Sequence, residues 1–148
     1  MTSTTRRTIV VAGLGTLLLR PAAATPEAMQ AAIAAFAGNA TPRDGRVVLD
    51  LAALVDNGNA VPVTLRVDDS PMTEADHVTE IALFTEQNPN TDVAVFHLGP
   101  RCGRAVVSTR MRLATSQKVV ALAKMSDGSV WRTSVDVVVA LAACIEGG

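Results

Sequence analysis

Val61-Pro62-Val63-Thr64-Leu65-Arg66-Val67 alternates apolar with polar or small side chains along its whole length. A period of two is the signature of a strand with one face buried and one face wet. Pro62 lacks a backbone donor, so it places this strand at a sheet edge or close to the strand's own start. Asn57-Gly58 just upstream is a turn signal, and an earlier strand reads from Val47 to Leu54. Downstream, His77 to Phe84 and Val93 to Leu98 read as two strands around a Gln87-Asn88-Pro89-Asn90 loop. Ala105, Val107, Thr109, Met111 and Leu113 then alternate with Arg104, Ser108, Arg110 and Arg112. Lys118 to Met125 follows, and Asp127-Gly128 makes a tight hairpin turn into Val130-Trp131. The last strand reads Val135 to Leu141. About seven short strands at regular spacing predict an all-β fold, an immunoglobulin-like β-sandwich.

A short helix precedes the strands. Thr25-Pro26-Glu27 supplies a capping hydroxyl, a proline at the first helical position and an acid near the positive helix end. Met29, Ile33 and Phe36 mark its apolar face, and Gly38-Asn39 ends it. The helix is expected to pack on a sheet edge or face.

Residues 1–24 read as a leader. Arg6-Arg7 opens a basic region, Ile9 to Leu19 is an apolar run, and Ala22-Ala23-Ala24 matches an A-x-A cleavage signal. The run is shorter than the roughly 20 apolar residues a membrane-spanning helix needs. Arg6-Arg7 followed by Thr8-Ile9-Val10 looks like a twin-arginine export signal. Three segments are therefore expected: the signal peptide at 1–24, the sandwich at 25–141 and a carboxyl-terminal arm at 142–148. The expected compartment is the periplasm, where thiols tend to be oxidised.

Composition excludes several function classes. The chain has 148 residues, a net charge of −1 and 3% aromatic residues, with no Tyr and one Trp. Nucleic-acid binding needs a basic face and stacking platforms, which this composition does not supply. Two Cys and two His without a C-x-x-C or H-E-x-x-H pattern do not furnish a structural zinc site. A phosphate-binding G-x-x-x-x-G-K-[ST] loop and a G-x-S-x-G nucleophile elbow are also missing. No catalytic residues and no metal ligands are assigned, and the chain is not expected to be an enzyme.

The stretch Ser70-Pro71-Met72-Thr73-Glu74-Ala75-Asp76-His77-Val78 carries a family resemblance. Together with Asn57 to Val63, Phe96-His97-Leu98-Gly99-Pro100 and Met125-Ser126-Asp127-Gly128, it resembles SoxY, the sulfur carrier of the periplasmic thiosulfate-oxidising system. The likeness spans essentially the whole chain. It implies an immunoglobulin-like sandwich that pairs with a SoxZ-like subunit in a heterodimer and presents an arm to sulfur-oxidising enzymes. The arm carries sulfur intermediates covalently on a cysteine, so that no cofactor is implied beyond a sulfur species on Cys144. SoxY arms end Gly-Gly-Cys-Gly-Gly, whereas this chain ends Ala142-Ala143-Cys144-Ile145-Glu146-Gly147-Gly148 and looks like the SoxY-related group named for its AACIE arm.

Read on its own chemistry, Cys144 has no Lys, Arg or His beside it in sequence, and Glu146 is an acidic neighbour that disfavours a thiolate. It reads as an attachment point that a partner enzyme must activate. A buried or disulfide-bonded Cys144 is the bland alternative. Cys102, in the Gly99-Pro100-Arg101-Cys102-Gly103 turn, is either an unpaired turn residue or a partner for Cys144. His77 and His97 with Cys102 and a Met would suit a copper site, but both His lie on strand patterns and read better as bonded surface residues. Glu74 and Asp76 read as loop caps. Arg104, Arg110 and Arg112 share a strand face, either simply solvated or docked by an acidic partner. Two functions follow: a covalent sulfur carrier, and a binding or assembly subunit in which Cys144 is incidental.

Overall fold

Alternating burial along four of the strands sorts their side chains into an inner and an outer face. A computed structural model describes residues 25–141; the expected leader at 1–24 and the arm at 142–148 lie outside the described residues. Helix α1 (Pro26–Ala37) is followed by strands β1 (Arg43–Asp44), β2 (Val47–Asp50), β3 (Leu54–Asn57), β4 (Val61–Val67), β5 (Val78–Thr85), β6 (Asp92–His97), β7 (Ala105–Met111), β8 (Gln117–Met125) and β9 (Val130–Leu141). One sheet has the order β1-β9-β8-β5-β6, with β3 also paired to β9; the other is β2-β4-β7. The immunoglobulin-like sandwich with a short amino-terminal helix is thus observed.

The sheets face each other across Leu49, Val61, Val63, Leu65, Ile81, Leu83, Leu113, Val119, Ala121 and Val137, all buried. The opposite face of the larger sheet is covered by α1. Met29, Ile33 and Ala37 pack on Ala82, Phe84, Val120, Leu122 and Val130. This explains why β5 and β8 are apolar on both faces, as strands buried on both sides must be. Phe36 is only half-buried. It meets Phe84 edge to face with ring centroids 5.9 Å apart, and the Lys124 ammonium lies 4.6 Å from its ring. The helix begins as expected: the Thr25 hydroxyl accepts from the Ala28 amide at 3.1 Å, and Gly38 ends it at φ 62°.

Two strand boundaries differ from the sequence reading. The stretch from Val47 to Leu54 is not one strand. β2 ends at Asp50, and the chain crosses to the other sheet, where β3 runs parallel to the end of β9. Leu51 plugs the core at the crossing. Conversely, Val130-Trp131 and Val135 to Leu141 are parts of one twelve-residue strand, β9. Arg132, Ser134 and Asp136 are its outward residues, so a polar-looking interruption is simply the wet face of a continuous strand. Pro62 sits near the start of β4, as expected. On one side it faces Arg110 of β7; on the other, β2 reaches no further than Thr64, so Pro62 has a strand neighbour on one side only.

Candidate functional site

The sandwich has two poles, and β9 crosses from one to the other. Its amino-terminal end lies beside Arg43 and Arg46, whose guanidinium carbons sit 4.6 and 5.5 Å from the Trp131 ring. Its carboxyl-terminal end, Leu141, lies at the other pole, among the β3–β4 turn, the β5–β6 loop and the β7–β8 loop. Cys144 is outside the described residues, but the residue three positions before it is held in place.

The anchoring is a relay of main-chain bonds. The Gly58 amide donates to the Leu141 carbonyl at 2.9 Å, and the Leu113 amide donates to the Gly58 carbonyl at 2.8 Å. The buried peptide of Gly58 thereby joins the end of β9 to the loop after β7. One step earlier, the Val139 amide donates to the Ser116 hydroxyl at 2.9 Å, and the Val138 amide donates to the Ala53 carbonyl at 2.8 Å.

Two amide side chains tie the remaining loops. The Asn88 Oδ1 accepts from the Ala114 amide and from Gln117 Nε2, both at 2.9 Å, while Asn88 Nδ2 donates to the Arg112 carbonyl at 2.7 Å. Gln117 also donates to the Thr115 carbonyl at 3.1 Å and accepts from the Gln87 amide at 2.8 Å. Gln117 is only 6% exposed, and both its donor hydrogens and its carbonyl are used. Asn57 Oδ1 receives the Asn59 amide at 2.9 Å, which shapes the turn. The pole is therefore a cross-braced platform. Sequence reasoning marked Asn57-Gly58 and Gln87-Asn88 as loops but missed Gln117 and the bracing. The sequence signal was a polar residue opening a strand with an apolar centre.

The other residues singled out in the sequence lie elsewhere. Cys102 is exposed in a single 3-10 turn, Pro100–Cys102, at the opposite pole. His77 Nδ1 is 2.9 Å from the Thr73 carbonyl, and His97 Nδ1 is 3.1 Å from Glu80 Oε1. Glu80 Oε2 also pairs with Lys124 at 2.7 Å. Among the described residues, no group of three His, Cys, Asp or Glu is gathered for a metal ion. Glu74 and Asp76 do not supply the cap of their loop. The Thr73 hydroxyl accepts from the Asp76 amide at 3.1 Å and plays that part, because it lies within reach of a free amide three residues on. The segment 70–78 crosses between the sheets at the pole away from Leu141. There Met72 is buried at φ 51° and His77 donates its amide to the Ser126 hydroxyl at 3.1 Å. Its part is structural. Arg110 on β7, and Arg104 and Arg112 just before and after it, are exposed and form no ion pair among the described residues.

Comparison with known proteins agrees with this fold. The family described as sulfur oxidation protein SoxY matches residues 33–144, so the match runs through to Cys144. No curated protein matches the chain. The sulfur carrier protein SoxY from Chlorobium limicola f thiosulfatophilum superposes with a TM-score of 0.64 at 28% identity, over 76% of this chain and 96% of that one. A superoxide reductase (neelaredoxin) from Ignicoccus hospitalis gives 0.57 at 16% identity, over 64% and 80% of the two chains. A putative superoxide reductase from Thermotoga maritima gives 0.55 at 20% identity, over 67% and 87%. The last two likenesses concern the fold alone. The family match, which covers most of the chain and ends at Cys144, carries the assignment: this chain belongs to the SoxY family.

Proposed function

We propose that this protein is a periplasmic sulfur carrier, holding sulfur intermediates covalently on Cys144 within a heterodimer with a SoxZ-like subunit during the oxidation of thiosulfate or a related sulfur compound. The observation that carries the reading is that the family match extends to Cys144, three residues past a strand end whose carbonyl is anchored. Three extended residues reach about 10 Å. A thiol on such a tether is displaced from a known origin by a short distance, which suits delivery into the active site of another protein. Joining two thiolate-level sulfurs in an S–S bond releases two electrons. Loading therefore requires an oxidising partner enzyme with its own electron acceptor, consistent with the absence of activating cations beside Cys144 in sequence.

Geometry also bears on Cys102. β7 runs six residue steps from Ala105, near Cys102, to Met111, near the braced pole, about 20 Å at strand rise. A disulfide needs Cα atoms within about 7 Å of each other. The β7 span is longer than the roughly 10 Å that three extended residues reach, which supports the reading of Cys102 as an unpaired turn residue.

The test is the intact mass of the protein purified from its native host under sulfur-oxidising conditions. The expected result is added sulfur, or an oxidised sulfur group, that a reductant releases. Cys144→Ser should fold and pair normally yet carry no adduct, and Cys102→Ser should keep it. An unmodified Cys144, or one locked to Cys102 in active protein, assigns the chain to the assembly role instead.

A further inference from the structure

β7 is the last strand of the smaller sheet and pairs with β4 alone, so its other edge is open among the described residues. An open edge presents main-chain donors and acceptors to any strand that can lie beside it. The side chains divide by face. Arg104, Val106, Ser108, Arg110 and Arg112, each two or more steps apart, are all exposed. Val107 and Thr109 lie on the inner face yet are only half-buried, with Val107 at the margin of the core. The inner face of this edge is thus incompletely covered. The outer face carries charge without counter-charge. Arg46, Arg66 and Arg132 each pair with an aspartate, whereas Arg104, Arg110 and Arg112 pair with none among the described residues. Asp68, one step past the register pair Val67 and Ala105, is already held by Arg66 at 3.0 Å. From Val93 to Ser126 the sequence contains no Asp or Glu at all.

We propose that the open edge of β7 is a docking site for a strand of another protein in which acidic and apolar residues alternate. Its carboxylates face Arg110 and Arg112, with Arg104 further along, and its apolar residues extend the inner face beside Val107 and Thr109. Charge complementarity selects this occupant. A guanidinium binds a carboxylate through two parallel hydrogen bonds, so a row of arginines favours acids and repels basic strands. The same charges deter unspecific pairing at an edge that would otherwise accept any strand. A second copy of this chain does not fit, because no strand among the described residues carries two acids at alternate positions. A membrane surface fits less well than a strand. The arginines follow one line, roughly 26 Å from Arg104 to Arg112 at strand rise, and no aromatic side chain stands among them. Nothing at this edge involves Cys144, so docking here does not depend on the carrier reading.

The experiment titrates the full mature chain into fluorescent peptides of about ten residues, the length of a long strand, and reads binding by anisotropy. One peptide alternates Glu and Val, a second holds the same residues in separate blocks, and a third alternates Lys and Val. The alternating Glu/Val peptide should bind, and it should slow hydrogen exchange at the β7 amides that point away from β4. Arg110→Gln/Arg112→Gln should weaken that binding roughly tenfold through the loss of two cross-strand ion pairs. Arg110→Lys/Arg112→Lys keeps the charge but loses the fork, and should fall between. Arg101→Gln/Lys118→Gln removes the same charge outside the row and should bind as wild type does. Failure of the alternating Glu/Val peptide to bind overturns the proposal. Equal binding of the blocked peptide, or an equal loss in the Arg101→Gln/Lys118→Gln control, reduces the row to unspecific charge and also overturns it. Slowed exchange confined to other strands does the same. Binding to phosphatidylglycerol vesicles that Arg110→Gln/Arg112→Gln abolishes, with no peptide binding, gives the row to a membrane surface instead.

Discussion

Removing the side chain of Asn88 should loosen the platform from which the arm departs without disturbing the core. Asn88→Ala deletes three hydrogen bonds: two accepted by Oδ1, from the Ala114 amide and Gln117 Nε2, and one donated to the Arg112 carbonyl. A net bond contributes about 0.5–1.5 kcal/mol, and a buried donor left without a partner costs somewhat more. Gln117 is buried and keeps only the Thr115 carbonyl for its two donor hydrogens. The Arg112 carbonyl and Ala114 amide lie nearer the surface, where water replaces part of what is lost. The expected destabilisation is about 2 kcal/mol, read from urea unfolding of the mature chain as a lower midpoint at constant slope. The Asn88→Ala/Gln117→Ala cycle should return a coupling of about 1 kcal/mol, because the two amides share a bond. Hydrogen exchange should quicken at the Leu113 and Ala114 amides and remain slow in β5 and β8. A loss below about 0.5 kcal/mol with unchanged exchange at both amides would refute the idea that these side chains brace the pole.

Leu65→Ala, at a fully buried site between the sheets, should cost about 3 kcal/mol in the same urea assay, since the rigid strands around it cannot collapse into the space. Asp127 is held below its ordinary carboxylate range by hydrogen bonding to the Ser129 hydroxyl and amide, helped by Arg46 and Arg43. Because its folded value is depressed, its contribution is present above the unfolded value and is lost as pH falls through the folded one. NMR titration should find Asp127 protonating below the ordinary carboxylate range, and its hairpin amides exchanging faster only at the acid end. Replacing Arg6 and Arg7 by Lys should trap a precursor retaining residues 1–24 if export uses the twin-arginine route, and sequencing of the wild-type periplasmic form should begin at Thr25. Normal export of the variant assigns the general secretory route instead.

Much of this protein was written locally. The alternation through Val61 to Val67 and Ala105 to Leu113 depends only on which side chains tolerate water, so the strands and their buried faces were legible without tertiary information. The helix was legible too, because Thr25, Pro26 and Gly38 act on the backbone within a turn of themselves. The cysteine and its family were legible from residue identity alone. What lay beyond reach were the features created by chain segments distant in sequence. Nothing between Val47 and Leu54 says that the chain changes sheets at Leu51, because that depends on the space beside β9, a strand some eighty residues later. The Asn88–Gln117 brace joins residues 29 positions apart, and the Gly58 relay spans from Leu113 to Leu141. Leu54 and Val138 stand side by side only because two strands far apart in sequence lie parallel in register. Local sequence thus determined the elements and the family's residues, whereas packing decided how the end of β9 is held and what surrounds it, since those contacts arise only once the sheets close on each other.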